Sequence, residues 1–424
     1  MTLTIHRGTH EIGGSCIEIV TSTTRIFLDF GLPLVDRDGK PLKLEKDAIF
    51  TYPELIAKGI APTVPYFQER DDKPTSLFLT HSHLDHYGLA PWLPTDMPVY
   101  SSQGTKIILD RARFFGQSTF DPSGIEVIEP WKQVRIGDIT ITPFLADHSA
   151  IDAFSYLIEG DGKRVFYSGD IRAHGRKHVL FDNLIANPPP SIDYLILEGS
   201  TLGREASEYQ TEIDVEKKLV EELEDEGIVY ASFSSQNIDR FVSFFKACRV
   251  TKRTLVVDPY TASILDSLKE LSSNIPQHNW EKSFKVFNVP NSHTQKMAKD
   301  QSLFKFVDAK ITLPEIIASP SRLVIKEDSA IRKILKGKGM MTDAKCIYSM
   351  WDGYLAENNF WKTNHVPLKI IHCSGHAYLE DLIRLVQAFN PKTVIPNHTF
   401  CPDEFIDLFE ERAMLLDDGQ TIEC

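Results

Sequence analysis

The segment Thr80-His81-Ser82-His83-Leu84-Asp85-His86-Tyr87 places three imidazoles and one carboxylate within six residues. It follows the apolar run Leu77-Phe78-Leu79, which has the length and composition of a short buried strand. Side chains alternate along a strand, so the first two histidines should point the same way, and a helical turn would add the Asp and the third histidine. Imidazole and carboxylate are ligands for zinc and similar cations. Four such groups, with more downstream, indicate two metal ions; the alternative is a solvated histidine-rich turn.

The overall composition is that of an ordinary globular protein. The chain has 424 residues, 42% of them hydrophobic and 25% charged, enough for two or three domains. A net charge of −13 argues against a generally basic surface but is compatible with a local basic groove. No apolar run reaches the roughly 18 residues of a membrane span, and residues 2–5 resemble a strand rather than a signal peptide. Six scattered cysteines without a C-x-x-C pair indicate reduced thiols, so a cytoplasmic protein without membrane association is expected.

Two kinds of pattern divide the chain. Residues 1–203 contain short strand patterns separated by turns, which predicts a sandwich of mixed sheets with helices outside. From 204 to 366, strands alternate with helical patterns as in a parallel α/β unit, and we interpret this part as an inserted domain. The strand pattern Leu368–Ile371 then opens residues 367–424, which are expected to return to the first domain.

Acidic residues at strand ends extend the histidine motif. Asp29 could orient a ligand histidine, and Asp170 could bridge two cations because a carboxylate has two oxygens. Taken alone, each would be interpreted as a turn residue. Glu198 ends a nearly apolar strand, where a carboxylate is costly without a partner such as a histidine.

Three further histidines stand in strand or turn patterns. His148 and His398 each follow a strand, although a lone histidine there is usually a surface residue. His376 lies in the turn Cys373-Ser374-Gly375-His376-Ala377, whose small residues Ser374, Gly375 and Ala377 would let backbone N–H groups approach a substrate phosphate. Ser234-Ser235-Gln236-Asn237 joins a strand to a helix, and its residues Ser234, Ser235 and Asn237 are a second phosphate-binding candidate. The alternative in both places is an ordinary helix cap.

Basic residues are concentrated in one part of this acidic chain. Residues 252–345 contain 16 Lys and Arg against 10 Asp and Glu, an excess of 6 (16 minus 10). The excess indicates a surface for a polyanion, and an ordinary solvated face is the alternative.

Together these residues resemble the metallo-β-lactamase superfamily. The family's motifs occur in the family's order, which makes the resemblance specific: Asp29, the H-x-H-x-D-H run of residues 81–86, His148 and Asp170. The later part is similar to the β-CASP nucleases, including ribonuclease J and the endonuclease of the cleavage and polyadenylation factor. The matching features there are Glu198 after a strand, the turn from Ser374 to Ala377, and the last histidine, His398.

The resemblance implies an α/β fold, an αββα metallo-β-lactamase sandwich with an inserted α/β β-CASP domain. It also implies two Zn²⁺ ions, with Mn²⁺ as the alternative. The first would be held by His81, His83 and His148, the second by Asp85, His86 and His398, with Asp170 bridging. Asp29 would orient a ligand histidine without binding a metal ion itself. Asp85 would act in catalysis as well as binding, and His376 would serve as general acid with Glu198 orienting it.

The expected activity is hydrolysis of single-stranded RNA by a two-metal-activated water, leaving a 5′ phosphate. A DNA nuclease of the repair type is the nearest alternative, with single-stranded DNA as its substrate, and by resemblance His398 favours RNA. A small-molecule metallo-hydrolase or an inactive RNA-binding scaffold would also share parts of the pattern. Glu198 and the large insert argue against the hydrolase, and the intact ligand set argues against the scaffold. Endo- or exonucleolytic action and a homodimer both stay open.

Overall fold

The computed structural model describes residues 1–35, 41–42, 50–205, 208–225, 227–290, 292–356 and 359–424, without the side chains of residues 292 and 293. The chain forms two compact units. Unit 1 comprises Met1–Glu205 and Gly375–Cys424, and unit 2 comprises Ala206–Ser374. In the described part of the chain, no helix is long and apolar enough to cross a membrane.

The strands follow in chain order. Unit 1 begins with β1 (Thr2–Arg7), β2 (Cys16–Val20), β3 (Arg25–Leu28), β4 (Thr75–Phe78), β5 (Val99–Ser101), β6 (Ile125–Val127), β7 (Val134–Ile136), β8 (Ile139–Leu145), β9 (Phe154–Gly160), β10 (Lys163–Tyr167) and β11 (Tyr194–Glu198). Unit 2 contains β12 (Ile228–Ser232), β13 (Thr254–Val257), β14 (Lys285–Phe287), β15 (Lys310–Ile311), β16 (Leu323–Lys326), β17 (Ala344–Tyr348) and β18 (Leu368–Ile370). Unit 1 ends with β19 (Thr393–Asn397) and β20 (Thr421–Glu423).

The helices are distributed over both units in the same way. Unit 1 has α1 (Tyr52–Ala57), α2 (Pro65–Gln68), α3 (Leu84–Tyr87), α4 (Gln103–Phe114) and α5 (Val179–Ala186). Unit 2 has α6 (Glu212–Glu224), α7 (Ile238–Val250), α8 (Pro259–Leu268), α9 (Ser292–Lys299), α10 (Leu313–Ala318), α11 (Ser329–Gly337) and α12 (Phe360–Thr363). Unit 1 then has α13 (Leu379–Phe389) and α14 (Glu404–Phe409). Short 3₁₀ turns lie at Ala90–Trp92, Pro122–Gly124, Ser302–Phe306, Pro320–Arg322, Asp352–Tyr354 and Glu410–Arg412.

Unit 1 is built from four layers. One sheet has the order β20-β1-β2-β3-β4-β5-β6 and the other β19-β11-β10-β9-β8-β7. Alternation along β3 shows how they pack, because Ile26 and Leu28 enter the core between the sheets while Phe27 packs on the outer face toward Leu55 of α1. The far face of the second sheet packs on α5 and α13. This arrangement confirms the predicted αββα sandwich.

Unit 2 contains one parallel sheet with the order β15-β14-β13-β16-β12-β17-β18. Apolar residues of β12, β16 and β17 pack with those of α11 and α12 in one core. The α/β class predicted for the insert is confirmed.

The strand at Leu368–Ile370 departs from the sequence interpretation. The sequence predicts that it opens the returning part at residue 367, but β18 pairs with β17 in the sheet of unit 2. The chain re-enters unit 1 at Gly375. A short strand pattern does not indicate which sheet the strand joins, so the sequence was compatible with a place in either unit. The identification of the two units as named domains stays a prediction.

Candidate metal centre

Parallel strands bring the predicted site residues to the same sheet edges. β3 and β4 are parallel, and so are β10, β11 and β19. The carboxyl ends of parallel strands meet at one edge, and the side chains that follow them therefore lie close together. Asp29 follows β3, the histidine motif follows β4, Asp170 follows β10, Glu198 ends β11, and His398 follows β19.

Asp170 lies among histidines from several of these loops. Its Oδ2 is 3.2 Å from Nε2 of His86, 3.6 Å from Nε2 of His81 and 3.7 Å from Nε2 of His148. Its Oδ1 is 3.8 Å from Nδ1 of His398. This is the arrangement expected of a carboxylate shared by two ligand clusters.

The remaining predicted ligands complete two groups. Nδ1 of His83 lies 3.2 Å from Nε2 of His148, and Nε2 of His398 lies 3.1 Å from Oδ2 of Asp85. Within each group the ligand atoms lie within 4.8 Å of one another; the groups are His81, His83, His148 and Asp170, then Asp85, His86 and His398, and a third that joins Asp170 and His398 with His376. All seven predicted ligands are thus brought together, although their role as ligands stays a prediction.

Several buried polar atoms of this set have no hydrogen-bond partner among the described residues, which bears on whether the set fits a metal ion. Nε2 of His81, Nε2 of His86 and both oxygens of Asp170 are buried and make no hydrogen bond to any described residue. The 3.2 Å approach of His86 to Asp170 is close enough for an ion pair but lacks hydrogen-bond geometry. Such atoms are costly to bury without a partner. Imidazole nitrogen and carboxylate oxygen are donors that zinc-like cations accept, so the residues fit metal binding.

Hydrogen bonds to Nδ1 hold three of the rings in place. Nδ1 of His148 donates to the carbonyl of Gly375 at 2.7 Å, and Nδ1 of His86 pairs with Oδ2 of Asp29 at 2.8 Å. Nδ1 of His398 lies 2.8 Å from Oγ of Ser200. A carbonyl and a carboxylate can only accept, so Nδ1 of His148 and Nδ1 of His86 are donors, and Nε2 is the nitrogen of each ring that faces the ligand group.

Asp29 has four hydrogen-bonding partners at this site. Besides His86, it accepts from the backbone N–H and the hydroxyl of Thr80 and from the hydroxyl of Tyr167 at 2.9 Å. The Thr80 hydroxyl in turn lies 3.0 Å from Nδ1 of His81. The contacts fit the supporting role predicted for Asp29. Thr80, Tyr167 and Ser200 were missed in the sequence, where the only signals were that Thr80 precedes the motif and Ser200 follows Glu198 by two residues.

The pKa values of the site histidines are shifted in opposite directions. Burial, together with neighbouring imidazoles, lowers the pKa of His81 and His148 well below the ordinary value, which favours the neutral ring that binds metals. Burial also acts to lower the pKa of His86, but the carboxylates of Asp170 and Asp29 outweigh it and raise that pKa well above the ordinary value.

His376 pairs with Glu198 beside the ligands. Its Nδ1 lies 3.0 Å from Oε2 of Glu198 and 3.7 Å from Oδ2 of Asp170. Burial acts to lower the pKa of His376, but the carboxylates of Glu198 and Asp170 prevail and raise the pKa to about 9. Oε1 of Glu198 also accepts the backbone N–H of Ile171 at 2.8 Å, which holds the carboxylate in place. The raised pKa favours the protonated ring that a general acid requires.

The predicted phosphate-binding residues lie in the two units. In unit 2, Asn237 caps α7 by accepting the N–H of Arg240, and Ser235 accepts from the Thr261 hydroxyl. The N–H of Gln236 donates to Oγ of Ser234 at 3.3 Å. The contact of Asn237 matches the helix-cap alternative, while those of Ser234 and Ser235 are other hydrogen bonds within unit 2.

The residues around His376 make backbone contacts. The carbonyl of Gly375 is bonded to His148 and that of buried Ala377 accepts from the Thr201 hydroxyl, while Ser374 belongs to unit 2. Contact of any of the predicted residues with a phosphate stays a prediction.

Comparison with known families and proteins bears on this site. The family model described as a beta-lactamase superfamily domain matches residues 47–216, and the Zn-dependent metallo-hydrolase RNA specificity domain matches residues 366–403. These two ranges contain the histidine motif, Asp170, Glu198, His376 and His398.

Several curated proteins are similar over part or most of the chain. Ribonuclease J of Helicobacter pylori strain 26695 is 22% identical over 424 residues, covering 92% of this chain and 55% of that protein. Transcription termination factor FttA of Methanothermobacter thermautotrophicus is 27% identical over 242 residues, 52% of this chain and 35% of its own. Ribonuclease TTHA0252 of Thermus thermophilus is 29% identical over 140 residues, 30% of this chain and 31% of its own. The chain spans about half the length of the ribonuclease J relatives it matches.

A solved structure shows the same fold. The crystal structure of a protein of unknown function from Enterococcus faecalis V583 has a TM-score of 0.78 at 21% identity, covering 99% of each chain. At that identity the likeness concerns the fold alone.

Proposed function

Because the chain belongs to the metallo-β-lactamase superfamily, in its β-CASP nuclease branch, we propose that it is a metal-dependent ribonuclease acting on single-stranded RNA. The observation that carries the proposal is the convergence of seven imidazole and carboxylate side chains next to the His376–Glu198 pair. The match to an RNA specificity domain and the ribonuclease names of several relatives support RNA as the substrate.

The metal complement is part of the proposal. His81, His83 and His148 would hold one cation, Asp85, His86 and His398 a second, and Asp170 both. Zinc suits this donor set, and manganese is the alternative. When bound, two such cations supply an activated water and neutralise charge on the phosphodiester.

The protein's own residues would deliver the proton that the leaving group needs. Nδ1 of His376 is engaged with Glu198, so the proton on Nε2 is the one available to the departing 3′ oxygen. Glu198 holds the ring in place and keeps the acid protonated. The products would be a 3′ hydroxyl and a 5′ phosphate.

The test is a digest of one single-stranded RNA labelled separately at each end, with a DNA of the same sequence and a duplex RNA in parallel, with zinc or manganese supplied. We expect the single-stranded RNA to be cleaved faster than the DNA, because the 2′-hydroxyl offers a contact that DNA lacks. Asp170→Ala, which removes the carboxylate shared by both clusters, is the inactive control. Equal or faster loss of the DNA would overturn the RNA proposal in favour of a DNA nuclease. The two labels also show whether cleavage starts at an end or inside the strand.

A cytoplasmic location and a homodimer stay predictions. Size measurement of the purified chain in solution tests the latter.

A further inference from the structure

Helix α11 in unit 2 exposes a row of cations. Ile331 and Leu335 are buried in the core, while Lys333 and Lys336 are exposed and Arg332 is half-buried. The helix sequence Ser329–Gly337 contains no acidic residue. An amphipathic helix usually carries both signs of charge on its outer face, so the exposed side of α11 is unusually basic for a chain of net charge −13.

An aromatic ring lies among these cations. The guanidinium of Arg332 is 5.2 Å and the ammonium of Lys336 is 5.8 Å from the centre of the Phe360 ring. Phe360 begins α12, which also carries the exposed Lys362. We call Arg332, Lys333, Lys336, Phe360 and Lys362 the α11–α12 basic face.

The two acidic residues that precede α11 in sequence are already engaged. Asp328 caps α11 by accepting the N–H of Ile331 at 2.7 Å. Glu327 accepts from the Ser232 hydroxyl at 2.6 Å and lies 3.2 Å from Nε of Arg332. Among the described residues, no carboxylate comes within 4.0 Å of Lys333, Lys336 or Lys362. Three positive charges of this face are therefore left for an external anion.

Other basic residues of the same region differ from this face. Lys326 pairs with Asp258 and Lys345 with Asp225, so those charges are neutralised. Lys299 and Lys310 are exposed without an ion pair, but in the described structure neither lies over an aromatic ring. What distinguishes the α11–α12 basic face is the combination of clustered cations and a shared ring.

We propose that the α11–α12 basic face is a second contact for the RNA strand, on unit 2. Proteins that hold single strands combine cations along the backbone with aromatic rings on which bases stack. Lys333, Lys336 and Lys362 would contact backbone phosphates, and Phe360, with Arg332 beside it, would face a base. The inference rests on the proposed function, since that function makes RNA the ligand.

The test compares two double variants of the full chain with the same loss of charge. Lys333→Gln with Lys336→Gln alters the basic face, and Lys299→Gln with Lys310→Gln is the matched control on α9 and β15. Both are made in the His376→Ala background, which keeps all seven proposed ligands. Binding of a labelled single-stranded RNA is measured over a range of salt concentrations with metal present.

Each phosphate contact on a single strand contributes about 0.7 to the slope of log affinity against log salt. We therefore expect the first double variant to flatten the slope by about 1.4, while the control keeps the parent slope. Equal slopes in the two double variants would overturn the proposal. Melting temperatures of both variants show that each is folded.

The aromatic part is tested by Phe360→Leu, which keeps an apolar side chain and removes the ring. We expect RNA affinity to fall about five-fold or more with the salt slope unchanged, the range seen when a stacking ring is lost. If Phe360→Leu binds the RNA with the affinity of its parent, Phe360 is not part of the contact.

A third measurement separates this proposal from the proposed function. In the His376 wild-type background, cleavage of the single-stranded RNA by the wild type and by both double variants tests the proposed function by itself. If no variant and no wild-type protein cleaves any RNA, the ribonuclease proposal fails while the salt slopes still decide the binding proposal.

Discussion

At the scale of single residues, Asp29 links the rings of two ligand clusters. It bonds to His86 directly, and it holds the Thr80 hydroxyl that faces Nδ1 of His81. One buried carboxylate thus orients a histidine in each cluster. The left-handed backbone of Asp29, with φ of 58°, places its carboxylate in this position.

Replacing this carboxylate tests the link. In Asp29→Asn, the amide can no longer accept from all four donors, so we expect metal affinity to fall about 10- to 100-fold, the usual effect of losing a ligand's supporting group. Competition with a coloured chelator measures the change. Thr80→Ser retains the hydroxyl and should bind metal like wild type. Wild-type affinity in Asp29→Asn would show that the contact does not orient the ligands.

The His376–Glu198 pair predicts a separable effect on turnover. His376→Ala keeps all seven proposed ligands, so metal content should be unchanged while turnover falls about 10²–10⁴-fold, the range for loss of a general acid. Loss of metal in this variant would assign His376 to the ligand set instead.

The pH profile distinguishes Glu198 from a purely structural residue. Glu198 raises the pKa of His376, which lies at about 9 in the wild type. In Glu198→Gln that pKa should fall, so the acid loses its proton at lower pH. We expect the alkaline decline of turnover to begin at lower pH than in wild type. A profile that drops in height without moving along the pH axis would contradict this role.

At the scale of secondary-structure elements, the loop after β3 packs directly on the backbone of α3. The N–H of Phe30 donates to the carbonyl of His86 at 2.7 Å, and that of Gly31 donates to Ser15. A Cβ at Gly31 would lie 1.6 Å from the carbonyl oxygen of Asp85. Only glycine allows this approach. The close contact therefore fixes the position of two proposed ligands, Asp85 and His86, relative to the sheet.

Gly31→Ala should therefore disturb metal binding and stability together. The methyl group must displace the backbone of Asp85, and overpacking of this kind costs about 1–3 kcal/mol in unfolding free energy. We expect reduced metal content by elemental analysis and a lower urea midpoint. Gly124→Ala is the matched control, since nothing lies within 4 Å of a Cβ there. A Gly31→Ala protein with full metal and an unchanged midpoint would contradict this packing argument.

The elements also show what the sequence could predict. The spacing of residues 81–86 is local, because strand alternation and one helical turn suffice to converge the side chains. Thr80, a partner of Asp29, lies 51 residues from it in sequence, and Ser200, the partner of His398, lies 198 residues from it. No sequence periodicity relates positions so far apart. The sheet that receives β18 is equally a matter of tertiary pairing. The candidate ligands and the candidate acid could therefore be predicted from the sequence, whereas the residues that hydrogen-bond to them and orient them could not.

At the scale of the whole molecule, stability against acid depends on buried carboxylates. In unit 2, Oδ2 of Asp258 lies 3.0 Å from the buried ammonium of Lys326, and Asp258 also caps α8. Burial acts to raise the pKa of Asp258, but Lys326 and the bonds from Thr261 outweigh it and hold that pKa below the ordinary value. The folded pKa lies below the unfolded one, so this stabilisation is present above the unfolded value and is lost as pH falls through the folded one.

Asp258→Asn removes this titration. We expect the variant to be less stable than wild type near pH 7, and the difference to shrink as pH falls below about 4, the ordinary pKa of an aspartate. Urea unfolding between pH 3 and pH 7 measures both. A difference that is constant across this range would show that the charge of Asp258 does not contribute to stability.

The distance in sequence between the proposed ligands has a thermodynamic consequence. Asp85 and His398 lie 3.1 Å apart but are separated by 313 positions along the chain. A cation held by both would act as a cross-link, closing a loop that contains all of unit 2. The ligands of such an ion converge only in the folded chain, so its binding free energy adds to the stability of the folded state. Chelation should then expose unit 1 to proteases and lower its melting temperature.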